Sequence, residues 1–501
     1  MTKYISILPS IYNFENYNFA IDNIHKYIKN KDEVTVVFCG RGLNYCAENP
    51  LGFKKLCFRC SKITSTILKN INIEILSFND LGLNIKTGKT VFEFDSLESL
   101  KAIIYKDAEI GLAVISQYVS MTRNLNPFFN HSLTKYLNKL LYHASLYTEI
   151  AYQIIKLKPD VVILVNGRMF DSRPFVNICE KKGVNYICEE SAYNISGHLV
   201  KENFYCSLPH DISSYTRKIH NMWNGSNVPL EERIKIGNSF FVKRSLSQFS
   251  GDKVYTIGQD NTLIPADWDN TKTNITIFNS SEDELFSIGR EYEINKLFNN
   301  QIDGINYILK KYKNNNELYF YLRIHPNLKN IKYKYHTDLL KLEHEHENIT
   351  VIKGDSPTSS YSLLNNSDKV IVFGSTMGVE AGFWGKQVLL LSPANYQELS
   401  VCYKPKSLRD IEDFLDNKIN FIPSKINAIK YGYHALNDER GTNENLDTEV
   451  HLKLYKVNLI FKKFKFNIMD FGYSNIGVRI LLFEYLTSQV LRKIFVPRNE
   501  K

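Results

Sequence analysis

The chain has 501 residues, of which 44% are hydrophobic, 23% charged and 13% aromatic. This composition excludes disorder, collagen and coiled coil as the main architecture, and 8 Cys are too few for a disulfide scaffold. The net charge of +9 is uneven: residues 451–501 hold ten Lys or Arg against Asp470, Glu484 and Glu500, a net +7, which leaves +2 for the first 450 residues.

Length predicts two or three domains at roughly 150 residues each. The opening MTKYISILPSIYNFENYNF lacks the basic start and unbroken apolar core of a signal peptide. No run of about 18 uncharged apolar residues predicts a membrane-spanning helix. The expected compartment is the cytoplasm.

In chain order, short β-rich runs alternate with helical stretches, which predicts α/β layers around parallel sheets. Residues 5–8 read as a strand, 17–28 as a helix and 34–38 as a strand ending in Cys39-Gly40-Arg41-Gly42. A strand over 161–165 ends in Asn166-Gly167-Arg168, and one over 185–188 ends in Glu189-Glu190-Ser191. Regularity breaks over 223–272, and GQDNTLIPADWDNTK (258–272) reads as the passage between two domains. A second series follows. Strands over 274–278, 318–324 and 369–373 end in Asn279-Ser280-Ser281, His325-Pro326-Asn327 and Gly374-Ser375-Thr376, and further strands cover 350–352 and 387–391. The predicted architecture is two Rossmann-like α/β domains facing across a cleft, 1–257 and 258–420, with a helical basic C-terminal extension over 421–501.

Ligands of such sheets bind at the carboxyl ends of the strands. Ser280, Ser281, Gly374, Ser375, Thr376 and Gly378 sit where predicted helices begin, and free N–H groups there favour phosphate. Arg323, His325, Pro326 and Asn327 supply further donors and a fixed turn for a departing phosphate. Glu380, a turn into its helix, is placed to accept ribose hydroxyls. The order is neither a Walker A loop nor a GxGxxG dinucleotide loop. Asn166 and Arg168 are either acceptor-binding residues or a structural turn. Cys39, Cys46, Cys57 and Cys60 are either a structural zinc site or small buried thiols. No HExxH, paired-acid or EF-hand pattern stands out, so the expectation is metal-independent chemistry with no required cofactor.

RIHPN (323–327) followed by VIVFGSTMGVEAGFWGKQVLLL (370–391) resembles bacterial capsule and O-antigen polysaccharide biosynthesis glycosyltransferases of the GT-B fold. VVFCGRGLNYCAENPLG (36–52), GLAVISQYVSMTR (111–123), ILVNGRMFDSRP (163–174) and YICEES (186–191) resemble that family's N-terminal blocks. The resemblance covers roughly residues 1–410. It implies transfer from a nucleotide-activated sugar to a glycan or lipid-linked acceptor, as in the polysialyltransferases and Kdo transferases, which use CMP-activated acidic sugars. It also implies Glu189 as the base facing His325 across the cleft, with His325, Ser375 and Thr376 on the donor phosphate. Ser191 stands where the polysialyltransferase motif has Gly, which leaves the register between Glu189 and Glu190 open. A nucleotide-sugar epimerase, a polyol-phosphate transferase and a non-catalytic polysaccharide assembly or export partner are the other readings. The basic, aromatic stretch LIFKKFKF (459–466) begins either a helix packed on the body or a surface that docks on anionic inner membrane. Nucleic acid is not an expected partner.

Overall fold

The computed structural model describes residues 1–43, 45–49, 52–82, 91–193, 199–251, 254–294 and 296–437. The basic tail, read as either a packed helix or a membrane-docking surface, lies outside them.

Two sheets form the molecule, as the alternation of strands and helices predicts. The first contains β1 (Lys3–Ile7), β2 (Glu33–Phe38), β3 (Glu74–Ser77), β4 (Val161–Val165), β5 (Asn185–Tyr193) and β6 (Leu199–Tyr205), in the order β3-β2-β1-β4-β5-β6. Its strands are parallel apart from β6, which pairs antiparallel with β5. The second contains β7 (Thr273–Phe278), β8 (Leu318–Arg323), β9 (Ile349–Ile352), β10 (Lys369–Phe373) and β11 (Gln387–Ser392), in the all-parallel order β11-β10-β7-β8-β9. Each sheet reverses its strand order once, between β1 and β4 in the first and between β7 and β10 in the second. Those two points are where a doubly wound sheet opens a crevice for a ligand.

Burial explains why the strands are so apolar. VVILV of β4 and KVIVF of β10 are covered on both faces by helices, so they run apolar without alternation. The helix Ile110–Thr122 is buried on nearly every side and ends at Arg123 in the left-handed region, φ 60°. Arg123 thereby leaves the helix axis and turns towards the second sheet.

Among the elements that the sequence reading did not name are β3, β6 and the helices Ile212–Gly225 and Leu230–Ser245. β6 (LVKENFY) is a polar edge strand without clean alternation, so its pairing partner rather than its pattern defines it. The stretch taken as irregular, 223–272, contains the whole helix Leu230–Ser245, which follows Ile212–Gly225. Leu230–Ser245 buries chiefly Gly237, Phe240 and Phe241, too narrow an apolar stripe to reveal a helix. It lies against Lys425–Leu436, the first helix of the predicted C-terminal extension, which is buried rather than appended. Two glycines permit that approach: a Cβ on Gly237 would stand 2.3 Å from the Ile429 carbonyl oxygen, and one on Gly432 2.3 Å from that of Gly237. Phe241 stacks on Phe383 at 4.0 Å, which fixes the helix to the second sheet's side of the molecule.

Candidate active site

The carboxyl ends of β7, β8 and β10 enclose a cleft of about 310 Å3. Ser280, Ser281, His325, Pro326, Gly374, Ser375 and Thr376 line it. Three loops far apart in sequence therefore converge as the strand-end rule requires.

Each loop is held by identifiable bonds. The Gln301 side chain accepts from the Ser280 N–H at 3.2 Å and donates to its hydroxyl at 3.1 Å. Asn279, 1% exposed, accepts from the His325 N–H at 2.7 Å and so ties the β7 loop to the β8 loop. Pro326 opens a 3-10 turn at a position that needs no N–H. The Asn327 N–H then donates to His325 Nδ1 at 3.2 Å. That bond leaves the proton of the neutral imidazole on Nε2, which makes Nε2 a donor. Tyr255, also in the lining, meets the imidazole edge-on at 4.8 Å. Gly374 turns the chain with φ 75°, and a Cβ there would lie 2.6 Å from Leu285.

Three expected ligand-binding residues do other work. Arg323 is 2% exposed, and its guanidinium donates to the backbone carbonyls of Lys353 and Ser356, pinning the loop after β9. Gly378 is a packing residue, since a Cβ there would come within 2.4 Å of the Tyr396 hydroxyl. Glu380 is 0% exposed and accepts from Tyr361 Oη and, at 2.9 Å, from Arg244 Nε. It therefore anchors two residues that line the cleft and does not itself reach a ribose.

Arg244 is the cation that the sequence did not reveal. It leaves the end of Leu230–Ser245, and its Nη2 lies 3.3 Å from the Thr376 hydroxyl. Only the packing of that helix on Lys425–Leu436 and Phe383 brings it there, so no local pattern signals it.

On the first sheet, the alternation of β5 separates the two glutamates. Glu189 is 2% exposed and does not face the cleft. Its carboxylate accepts from Asn23 and stands 3.8 Å from Lys201 Nζ. Burial outweighs the pull of Lys201 and pushes its carboxyl up to about 7. Glu190, on the opposite face, is half-buried and accepts from Asn166 Nδ2 at 2.6 Å. Burial raises its carboxyl as well, with Asn166 and Arg168 pulling it back. Asn166 sits at φ 60°, and its Oδ1 accepts from the Arg168 N–H at 3.2 Å, so the turn aims both side chains. The Arg168 guanidinium interacts electrostatically with Glu190 of the first sheet and with Glu284, which lines the cleft of the second.

Arg123 joins the two sides directly. Its guanidinium donates to Asp283 at 2.6 Å, to the Ser281 hydroxyl at 2.7 Å and to the Asn327 carbonyl at 3.2 Å. Glu284 in turn accepts from Asn327 Nδ2 at 2.7 Å.

Three of the four cysteines of the suggested zinc site each meet a different polar group. Cys39 lies 3.7 Å from the Leu43 carbonyl, Cys57 3.1 Å from Asn49 Nδ2 and Cys60 3.7 Å from the Ser10 hydroxyl. Burial pushes the Cys39 thiol up to about 11 and raises those of Cys46 and Cys60. Metal ligation needs thiolates, and among the described residues no group of three or more His, Cys, Asp or Glu converges to hold a metal.

Residues 290–407 match the family model described as capsule polysaccharide biosynthesis protein. That segment carries β8, β10, His325, Ser375 and Thr376. Solved structures similar to the chain include the KpsC beta Kdo 2,4 transferase of Thermosulfurimonas dismutans, at 14% identity over 55% of this chain and 79% of that one, TM-score 0.36. The KpsC beta Kdo 2,7 transferase of the same organism matches at 14% identity over 57% and 80%, TM-score 0.31. A UDP-GlcNAc 2-epimerase from Neisseria meningitidis, bound to UDP-GlcNAc, matches at 12% identity over 91% and 100%, TM-score 0.26. A comparison with curated protein sequences finds no match.

Proposed function

We propose that the chain is a glycosyltransferase of surface-polysaccharide biosynthesis that moves a sugar from a nucleotide-activated donor to a glycan or lipid-linked acceptor. The observation that carries this reading is the convergence of His325, the hydroxyls of Ser280, Ser281, Ser375 and Thr376, and the Arg244 guanidinium on one cleft. Its two chief loops lie within the segment that matches capsule biosynthesis proteins. Such a set stabilises negative charge, which is what a leaving nucleotide phosphate develops. Across the molecule, Glu190 is the carboxylate beside Asn166 and Arg168 and serves as the base for the acceptor hydroxyl. The acceptor oxygen bonds to the anomeric carbon and loses its proton to Glu190. The bond from that carbon to the phosphate oxygen breaks, and the electron pair leaves with the nucleotide. A CMP-activated acidic sugar is the donor that the sequence resemblance favours. The basic tail would hold the enzyme at the anionic cytoplasmic face of the inner membrane, where a lipid-linked acceptor is available.

Titration of the purified protein with CMP, UDP, GDP and CDP tests the reading, since a ligand that binds the native state raises thermal stability by mass action. At least one should raise the midpoint, and His325→Ala should weaken that shift. No shift with any of the four overturns the proposal and favours a non-catalytic assembly partner.

A further inference from the structure

The segment that follows β7 is held by the first half of the chain. Arg173 donates to the Ile288 carbonyl, the Ile212 N–H donates to Glu291 at 2.7 Å, and Tyr292 donates to the His210 carbonyl at 3.0 Å. Arg123 grips the start of the same segment, beside the cleft. Its Nε and Nη2 donate to the two oxygens of Asp283, at 2.6 and 3.1 Å. Asp283 is buried and accepts in addition from Tyr335 Oη at 3.2 Å. One residue before Arg123, the Thr122 carbonyl accepts from Tyr333 Oη at 3.1 Å. The guanidinium is thus fixed in angle as well as in place.

The consequence falls on Ser281, which lines the cleft although Arg123 itself does not. A hydroxyl has two acceptor lone pairs and one proton. Arg123 Nη2 donates to the Ser281 oxygen at 2.7 Å and Asn327 Nδ2 donates to it at 3.2 Å, which occupies both lone pairs. The hydroxyl makes no capping bond to Glu282–Leu285, the short helix that follows it. Among the described residues no group accepts its proton. The side chain is 1% exposed, so bulk water does not reorient it.

We propose that Arg123 is a positioning residue of the donor site: it turns the Ser281 hydroxyl so that its remaining proton points into the cleft as a donor to a phosphate oxygen. The word phosphate rests on the transferase reading above; the orientation rests on the bonds around Ser281. A hydroxyl that rotates freely has to be reoriented before it can donate to an anion, whereas one already turned binds it without that cost. The same bonds make the first half of the chain a partner in donor binding, through a residue that does not touch the donor.

Isothermal titration of the full chain with CMP, UDP, GDP and CDP, in a double-mutant cycle of Arg123 and Ser281, tests this. For the nucleotide that binds most tightly, Ser281→Ala should weaken binding roughly tenfold, the loss of one hydrogen bond to a charged group. Arg123→Ala should weaken it about threefold to tenfold. In the Ser281→Ala background the Arg123→Ala change should cost less than about twofold, because its route to the phosphate is gone. A purely structural tie between the halves gives no such coupling, whatever it does to stability. Should Arg123→Ala fail to fold, Arg123→Lys takes its place under the same criteria, since it keeps a cation for Asp283 without the guanidinium fork. The same loss in both backgrounds, or wild-type affinity in either single variant, overturns the positioning role and leaves the transferase reading standing. Absence of binding by all four nucleotides overturns that reading, and the positioning role with it.

Discussion

The two sheets share a strand order, with β6 added to the first, but line their equivalent crevices with different side chains. Between β7 and β10 the lining presents hydroxyls, an imidazole, a guanidinium, two tyrosine rings and the Glu284 carboxylate. Between β1 and β4 it presents two carboxylates, one exposed guanidinium, hydroxyls, amides, thiols and aromatic rings. Topology therefore fixes where a ligand can enter, whereas the loop residues decide its charge. On the proposed function, a phosphate suits the second crevice.

The largest effect expected from breaking this contrast is at Glu190. Glu190→Gln keeps the hydrogen-bonding shape towards Asn166 but cannot take a proton. Loss of a general base costs on the order of a hundredfold to ten-thousandfold in kcat. Nucleotide affinity should stay near wild type, because the base acts on the acceptor. Near-normal turnover in this variant would assign the base elsewhere.

His325→Ala tests the other crevice. Removing one donor to a developing anion costs roughly a hundredfold to a thousandfold in rate. Affinity for the free nucleotide should also fall, which separates this variant from Glu190→Gln. Equal loss of nucleotide affinity in both variants would erase the division of labour between the sheets.

These two residues also mark what was legible from the chain. His325, Ser375 and Thr376 follow directly after apolar strands, so a local rule located them and the structure gathers them into one cleft. The two glutamates are adjacent, and YICEES contains nothing to say which faces the cleft. The pairing of β5 with β4 and β6 separates them: the Glu189 carboxylate lies near Asn23 and Lys201, and the Glu190 carboxylate, on the other face of the strand, beside Asn166. Arg323 and Glu380 were misjudged for a related reason. A charged side chain at a strand end or helix start can turn inwards when carbonyls or a partner ion satisfy it, and sequence spacing does not report that partner. Arg244 shows the converse, since its place depends on Phe383 and Gly432, far along the chain.

Arg244 gives the next smaller effect. Arg244→Ala removes one charge-assisted contact, a loss of about 1.5–3 kcal/mol, or roughly tenfold to a hundredfold in donor affinity. Arg244→Lys should recover only part, because the Glu380 carboxylate and the Thr376 hydroxyl are both matched to the guanidinium fork. Isothermal titration with the nucleotide found in the stability screen measures both. A lysine variant equal to wild type would reduce Arg244 to a point charge.

The smallest catalytic effect belongs to Glu189, and its signature is in stability instead. Its folded carboxyl titrates at about 7, above the ordinary value of 4.5. The folded chain therefore holds that proton more tightly than the unfolded chain. The associated stabilisation is complete below pH 4.5 and is lost as pH rises through about 7. Glu189→Gln mimics the protonated form and does not titrate. Relative to this variant, wild type should lose on the order of 3 kcal/mol of unfolding free energy between about pH 4.5 and pH 8. Denaturant unfolding of both proteins at the two pH values measures the difference directly. Turnover of Glu189→Gln should stay within a few fold of wild type, since its carboxylate meets Asn23 and Lys201 and not the cleft. A variant that unfolds with the wild-type pH dependence yet has lost turnover would return the role of base to Glu189 and reverse the assignment of the two faces of β5.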